Sequence, residues 1–156
     1  MKRLIQSSTL LALIFISTFK AHAQDRFKKA YYIDNASQKH ECFILDLDWS
    51  NNPESFKYKD SENGEIKEIT IKDVQSFEIL ERSKFVRADV KLDLSSEDIN
   101  RLTDFKELET VDTTVFLRVL LEGEANLYLF EKGNLDRLFY SKKSAPSEYI
   151  NLKYKA

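Results

Sequence analysis

The chain is poor in the residues that most often carry chemistry or cross-links: one cysteine, two histidines and three glycines among 156 residues, with a formal net charge of only -2. Each shortage removes a class of protein. A single cysteine, Cys42, allows no intrachain disulfide, so a disulfide-stapled scaffold is excluded. Its side chain is expected to pack as a small hydrophobe, because a nucleophilic thiol needs a nearby base and the sole candidate beyond residue 23 is His40. Gly64, Gly123 and Gly133 stand apart from one another, so no glycine loop cradles a phosphate and no Gly-x-Ser-x-Gly elbow presents a serine. A Ser-His-Asp triad would rest on His40 alone. The slight acidic excess lacks the cationic surface that phosphate backbones demand, and no nucleic-acid partner is expected.

A long uninterrupted apolar run is also missing. Lys2 and Arg3 precede an apolar stretch over 4–19 that Gln6, Ser7, Ser8, Thr9, Ser17 and Thr18 interrupt, and Ala21, His22 and Ala23 follow. A membrane-spanning helix needs about 20 consecutive apolar residues. A positive start, a short apolar stretch and small residues at alternate positions before a cleavage point are instead the marks of a signal peptide. The expectation is a leader over 1–23 and a single β-rich envelope domain over 24–156. Losing Lys2, Arg3 and Lys20 would take the formal charge from -2 to about -5. No cysteine lies near the cleavage point to carry a lipid anchor.

What is present in abundance is alternation with period two. Over 40–49, Phe43, Leu45, Leu47 and Trp49 share one face and His40, Cys42, Ile44, Asp46 and Asp48 the other, the pattern of a strand with one buried face. Asn51, Asn52 and Pro53 then supply a turn. Strands are predicted over 55–59, with Phe56 and Tyr58 on one face, and over 66–71, and Asn63-Gly64 between them signals a tight hairpin. Further strands are predicted over 74–80 and 85–92. The period changes to three over 96–108, which fits a short helix or an irregular excursion. The run over 113–121 is apolar on both faces, as in a central, covered strand. Returns over 125–131 and 135–140 make a meander, the second through a turn at Lys132, Gly133 and Asn134, and a last short strand is predicted over 149–154. The fold class is all-β or β-rich, a small antiparallel barrel or sandwich with at most one short helix.

Few side chains suggest chemistry. Asp46 and Asp48 would point the same way from a strand, as a cation site or an acid pair requires, and solvent-facing polar alternation explains them equally. His40, Cys42 and Asp46 are too thin a set for zinc, which takes three or four ligands rich in Cys and His. No cofactor is expected. The aromatics Phe56, Tyr58, Tyr128, Phe130, Phe139, Tyr140, Tyr149 and Tyr154 all fall on predicted strands, and most should be core. If they form a binding surface, Tyr128, Tyr140 and Tyr154 are the candidates, because a tyrosine keeps a polar handle.

Segments 42–60, 68–79, 114–140 and 149–156 resemble a group of secreted β-rich proteins of Bacteroidetes-type bacteria. The fingerprint is a Trp-x-x-x-Pro-like segment, here Trp49 to Pro53, and a Phe-Leu-x-Val-Leu-x-Glu-Gly run, here Phe116, Leu117, Val119, Leu120, Glu122 and Gly123, with Leu127 and Tyr128 following. The resemblance brings no activity. It implies export to the periplasm, the cell surface or beyond the cell; in some longer members an outer-membrane barrel follows such a module, and membrane insertion is not carried over to these 156 residues. The expected function is a non-enzymatic envelope module that binds a protein or surface component through a sheet edge or an apolar patch, with another envelope protein as partner. The alternatives are a small ligand- or glycan-binding β-barrel and a hydrolase-type enzyme using acidic residues.

Overall fold

The computed structural model describes residues 26–95 and 110–152, except for the side chain of Ser147. They form ten strands: β1 (Phe27–Asp34), β2 (Lys39–Leu45), β3 (Ser55–Lys59), β4 (Lys67–Thr70), β5 (Val74–Ile79), β6 (Ser83–Asp93), β7 (Thr110–Leu121), β8 (Ala125–Lys132), β9 (Leu135–Lys142) and β10 (Ala145–Asn151). One antiparallel sheet contains them all, in the order β10-β9-β8-β7-β6-β5-β1-β2-β3-β4. No helix occurs among the described residues. The 96–108 segment lies outside them.

The order contains one jump, and the jump forces curvature. β4 lies at the sheet margin while β5 pairs with β1, yet only residues 71–73 join β4 to β5. The margin must therefore curl back. In a flat sheet β3 and β5 would stand about 14 Å apart, three strand spacings. Instead Phe56 of β3 and Phe77 of β5 have ring centroids 4.4 Å apart. Arg87 fastens the closure, its guanidinium donating to the carbonyls of Ile71 (3.2 Å) and Lys72 (3.3 Å) and to Asn35 Oδ1 (2.8 Å). Inside the curl lie Ala30, Tyr32, Cys42, Ile44, Phe56, Val74, Phe77, Ile79, Phe85 and Phe116.

A second core, Ala88, Val90, Leu92, Leu117, Tyr128, Phe130 and Phe139, occupies the opposite face. The register across β6 and β7 proves this. Arg87 pairs with Phe116 and Val86 with Leu117, and successive residues of a strand point to opposite sides. Phe116 thus closes the first core and Leu117 the second, which is why β7 is apolar on both faces. The sheet is S-shaped, curling one way before β6 and the other way after β7.

Three departures from the sequence reading have physical causes. β1 carries no strong alternation, since Ala30 and Tyr32 are its only inward apolar residues, and it went unanticipated. The strand expected over 40–49 stops at Leu45, and its buried side is that of Cys42 and Ile44, the smaller pair suited to the crowded inside of a tight curl. Beyond it Asp48 turns the chain, at φ 50° with its N–H donating to Asp46 Oδ1 at 3.0 Å. Asn63 and Gly64 do not form a two-residue hairpin: residues 60–66 connect β3 to β4, and neither has positive φ. The register Phe56↔Ile69, which brings both side chains to the core, overrides the local turn signal. Gly133 does make a tight turn, at φ 64° between β8 and β9.

The loop over 46–54 binds the halves together. Trp49 packs edge-on against Phe77 (5.8 Å) and Phe85 (5.7 Å), and Pro53 is buried. Asn52 then enters the sheet itself. The β7–β8 ladder ends at Arg118↔Leu129, and the next hydrogen-bonding pair in that register, two residues on, would be Phe116 and Glu131. Between those two stands Asn52, its Nδ2 donating to Phe116 O (2.6 Å) and Leu129 O (2.9 Å) and its Oδ1 accepting from Glu131 N (3.2 Å). Its own N–H donates to Glu131 O at 2.9 Å, and Gly133 N donates to Asn51 Oδ1 at 2.6 Å. The strands fork because these asparagines replace their pairing.

Removing the wedge leaves backbone groups without partners, each such loss being worth about 1–3 kcal/mol. Asn52→Ala is expected to lower the unfolding free energy in urea by about 2–4 kcal/mol. Asn52→Asp sets an oxygen against two carbonyls and should be no milder. Losses under about 1 kcal/mol in both variants would show that the fork holds without the wedge.

Candidate interaction surface

The residues singled out for chemistry do not assemble. Asp46 accepts from Arg82 Nε at 2.7 Å with its side chain only 9% exposed, whereas Asp48 is exposed beyond the end of β2. Both border a cavity of about 390 Å³ with Trp49, Glu81, Arg82, Ser83 and Arg118, where Asp46 is answered by Arg82. Among the described residues no three His, Cys, Asp or Glu side chains are grouped to hold a metal ion. Burial pushes the Cys42 thiol up to about 12, which leaves it protonated and inert at neutral pH. His40 Nε2 lies 2.8 Å from Asp34 Oδ2, and its ring stacks on Tyr32 at 4.7 Å. That histidine braces the β1–β2 turn, whose Ala36 and Gln38 N–H groups also donate to Asp34 Oδ1.

The tyrosine candidates separate. Tyr128 belongs to the second core, 4% exposed, with its hydroxyl 3.1 Å from Ser141 Oγ and its ring edge-on to Tyr149, so it presents no surface. Burial likewise raises the Tyr149 hydroxyl to about 12. Tyr128 pairs with Phe139 and Leu127 with Tyr140, which puts Tyr140 on the opposite face. Tyr154 lies outside the described residues.

Around Tyr140 the outer face is apolar over three strands. One row runs Leu127, Tyr140, Ile150; the next runs Leu129, Leu138, Leu152, where Leu152 N donates to Leu138 O at 2.8 Å. Leu138, Ile150 and Leu152 are 40%, 36% and 45% exposed. Strand spacings of about 4.8 Å and same-face spacings of about 7 Å make the patch roughly 15 Å square. Formal charge is held at its ends, Glu131 and Asp136 at one and Lys142 at the other. Arg118 marks the inner border, over the Phe85 ring and 3.5 Å from Glu131, donating to the Trp49 carbonyl beneath the 46–54 loop. The outer face of the first curl is different in kind. There Lys39 stands over the Tyr31 ring and the Tyr31 hydroxyl donates to Glu78 at 2.7 Å, so exposed apolar area is broken up by charge.

Leu127, Leu129, Leu138, Ile150 and Leu152 were not among the sequence candidates. Their signal was double-faced apolarity in β8 and β9, strands that a single core would leave wet on one side. Among the described residues no helix is long and apolar enough to cross a membrane. Comparison with protein-family models, curated proteins and solved structures gives no match.

The Asp34 brace has a pH signature. His40 first, then the Gln38 and Ala36 amides, hold the Asp34 carboxyl below its ordinary value. A carboxyl depressed on folding stabilises above its unfolded value, about 3.9, and loses that contribution as pH falls through the folded one. Asp34→Asn should therefore lower the urea midpoint at pH 7, with the gap to the parent closing as pH falls below about 3.9. A gap of constant size down to pH 2 would locate the effect in shape rather than charge.

Proposed function

We propose that the protein is a non-enzymatic module of the cell envelope that docks a protein partner on the outer face of β8, β9 and β10. The two-row patch of exposed Leu138, Ile150 and Leu152 with half-buried Leu127, Leu129 and Tyr140 carries this reading. A contiguous apolar surface with its charges at the ends has the anatomy of a docking site. At roughly 200 Å² it forms the centre of an interface, since stable complexes bury about 800 Å² per partner. A protein fits better than a lipid surface, because anionic headgroups favour a uniformly basic rim and this one includes Glu131 and Asp136. A sugar would seek several flat aromatic faces, and Tyr140 is the one aromatic in the two rows. The leader pattern over 1–23 and the resemblance of 42–60 and 114–140 to secreted proteins of Bacteroidetes-type bacteria support an exported location without integral membrane insertion.

Both parts are tested on protein cross-linked in intact cells. The product should fractionate with the periplasm or cell surface, washable from membranes by urea, with a mass that starts at Gln24. Leu138→Lys and Ile150→Lys should each reduce a specific cross-linked species at least tenfold while leaving the urea midpoint unchanged. Cross-links indifferent to both substitutions would remove the docking face from the account, and unprocessed cytoplasmic protein would remove the location.

A further inference from the structure

The fork between β7 and β8 leaves a gap through the sheet. Below Arg118 strand β7 stays paired to β6 without interruption down to Thr110↔Asp93, but on its other side the ladder with β8 has ended. The gap has a volume of about 530 Å³, within the range of ligand-binding clefts.

Among the described residues no strand pairs with the side of β7 that faces this gap. A residue's N–H and C=O in an antiparallel strand point to the same side, and the side alternates along the chain. The Phe116 carbonyl points into the fork, where it meets Asn52. The register from Phe116 to Thr110 is unbroken, so the peptide groups of Thr114 and Asp112 point the same way. At the first position of the fork the Asn52 carboxamide gives this edge the donor that another strand would bring, at Phe116 O, while its oxygen accepts from Glu131 N of β8. Neither Thr114 nor Asp112 has a β8 partner among the described residues.

The walls specify the rest of the occupant. Leu92, Val111, Val115, Phe130 and Leu135 line the side toward the second core, while Thr114 and Glu54 line the other. The two charged side chains lining the gap, Glu54 and Lys132, neutralise each other at 3.0 Å, and Asp112 on the edge stands cross-strand from Lys91. A charged insert would be desolvated with no free counter-charge to meet it. Complementarity in charge and hydrogen bonding therefore selects an uncharged extended backbone with alternate apolar and small polar residues. We infer that the β7 edge from Thr110 to Thr114 is a strand-addition site that takes a neutral, extended peptide segment of a partner into the fork. The inference stands apart from the β8–β10 face, which lies beyond Arg118 on the far side of the fork.

The probe is an acetylated, amidated hexapeptide of alternating valine and threonine, titrated into the ¹⁵N-labelled protein, with the same peptide methylated on alternate backbone nitrogens as control. The unmodified peptide should shift the Asp112 and Thr114 amides, and the methylated one should bind at least tenfold more weakly. Leu138→Lys protein should bind the peptide unchanged, which separates this site from the docking face. Equal affinity for the two peptides would reduce the effect to apolar adsorption and overturn the inference, as would shifts confined to β8–β10. Changes at Asp112 and Thr114 on diluting the protein without peptide would assign the edge to a second copy of the chain, and would overturn it too.

Discussion

Asn52 occupies the place of a β7–β8 peptide pair, and most of the architecture depends on that substitution. An open, twisted sheet of about ten strands commonly curls, splits into two packed sheets or flattens. Here the sheet reverses its curl instead. The reversal needs β8 to leave β7 before β7 has finished pairing with β6, and backbone groups exposed by such a parting need new partners. The Asn52 carboxamide provides a donor for Phe116 O and Leu129 O and an acceptor for Glu131 N in the space of one side chain. Trp49 and Pro53 hold it there, one against Phe77 and Phe85, the other buried.

The reversal decides where exposed apolar surface can be. Before β6 the concave side holds the first core, and the outside is dressed with Lys39, Tyr31 and Glu78. After β7 the concave side has switched, and the face continuous with the first core becomes the outside. Leu129 and Leu138 thus lie on the same face as Arg118, but past the cover of the 46–54 loop. The proposed docking face and the open β7 edge are two products of one fork. A wedge that only repaired the sheet would leave neither.

Much of the strand content was legible because alternation depends only on which side is wet. β6, with Val86, Ala88, Val90 and Leu92 opposite charged neighbours, and β3, with Phe56 and Tyr58, could be read directly. The two-sided run of β7 was legible as a covered strand, though not that each side covers a different core, since that requires knowing the partner of each face. Local turn chemistry was a weaker guide. Gly133 adopted the conformation its position suggested, whereas Asn63 and Gly64 yielded to the register that buries Phe56 with Ile69. Asn52 read as a turn residue, and nothing in its neighbours announces that its side chain reaches Phe116 and Leu129, 64 and 77 positions away. Of the two binding candidates among the described residues, Tyr140 lies on the outer apolar face and Tyr128 in the second core, because alternation separates the two sides of a strand but not the inside from the outside of the second curl.

If one sheet with a built-in reversal is the correct description, the two cores share β6 and β7 and must open together. Native-state hydrogen exchange across a urea series measures this most directly. The account predicts that amides beside the first core, such as Ile44 and Phe77, and beside the second, such as Tyr128 and Phe139, converge with those of Val86 to Val90 and Leu117 on one unfolding free energy. Two separate free energies, one for each core, with β6 and β7 exchanging at the lower value, would contradict it.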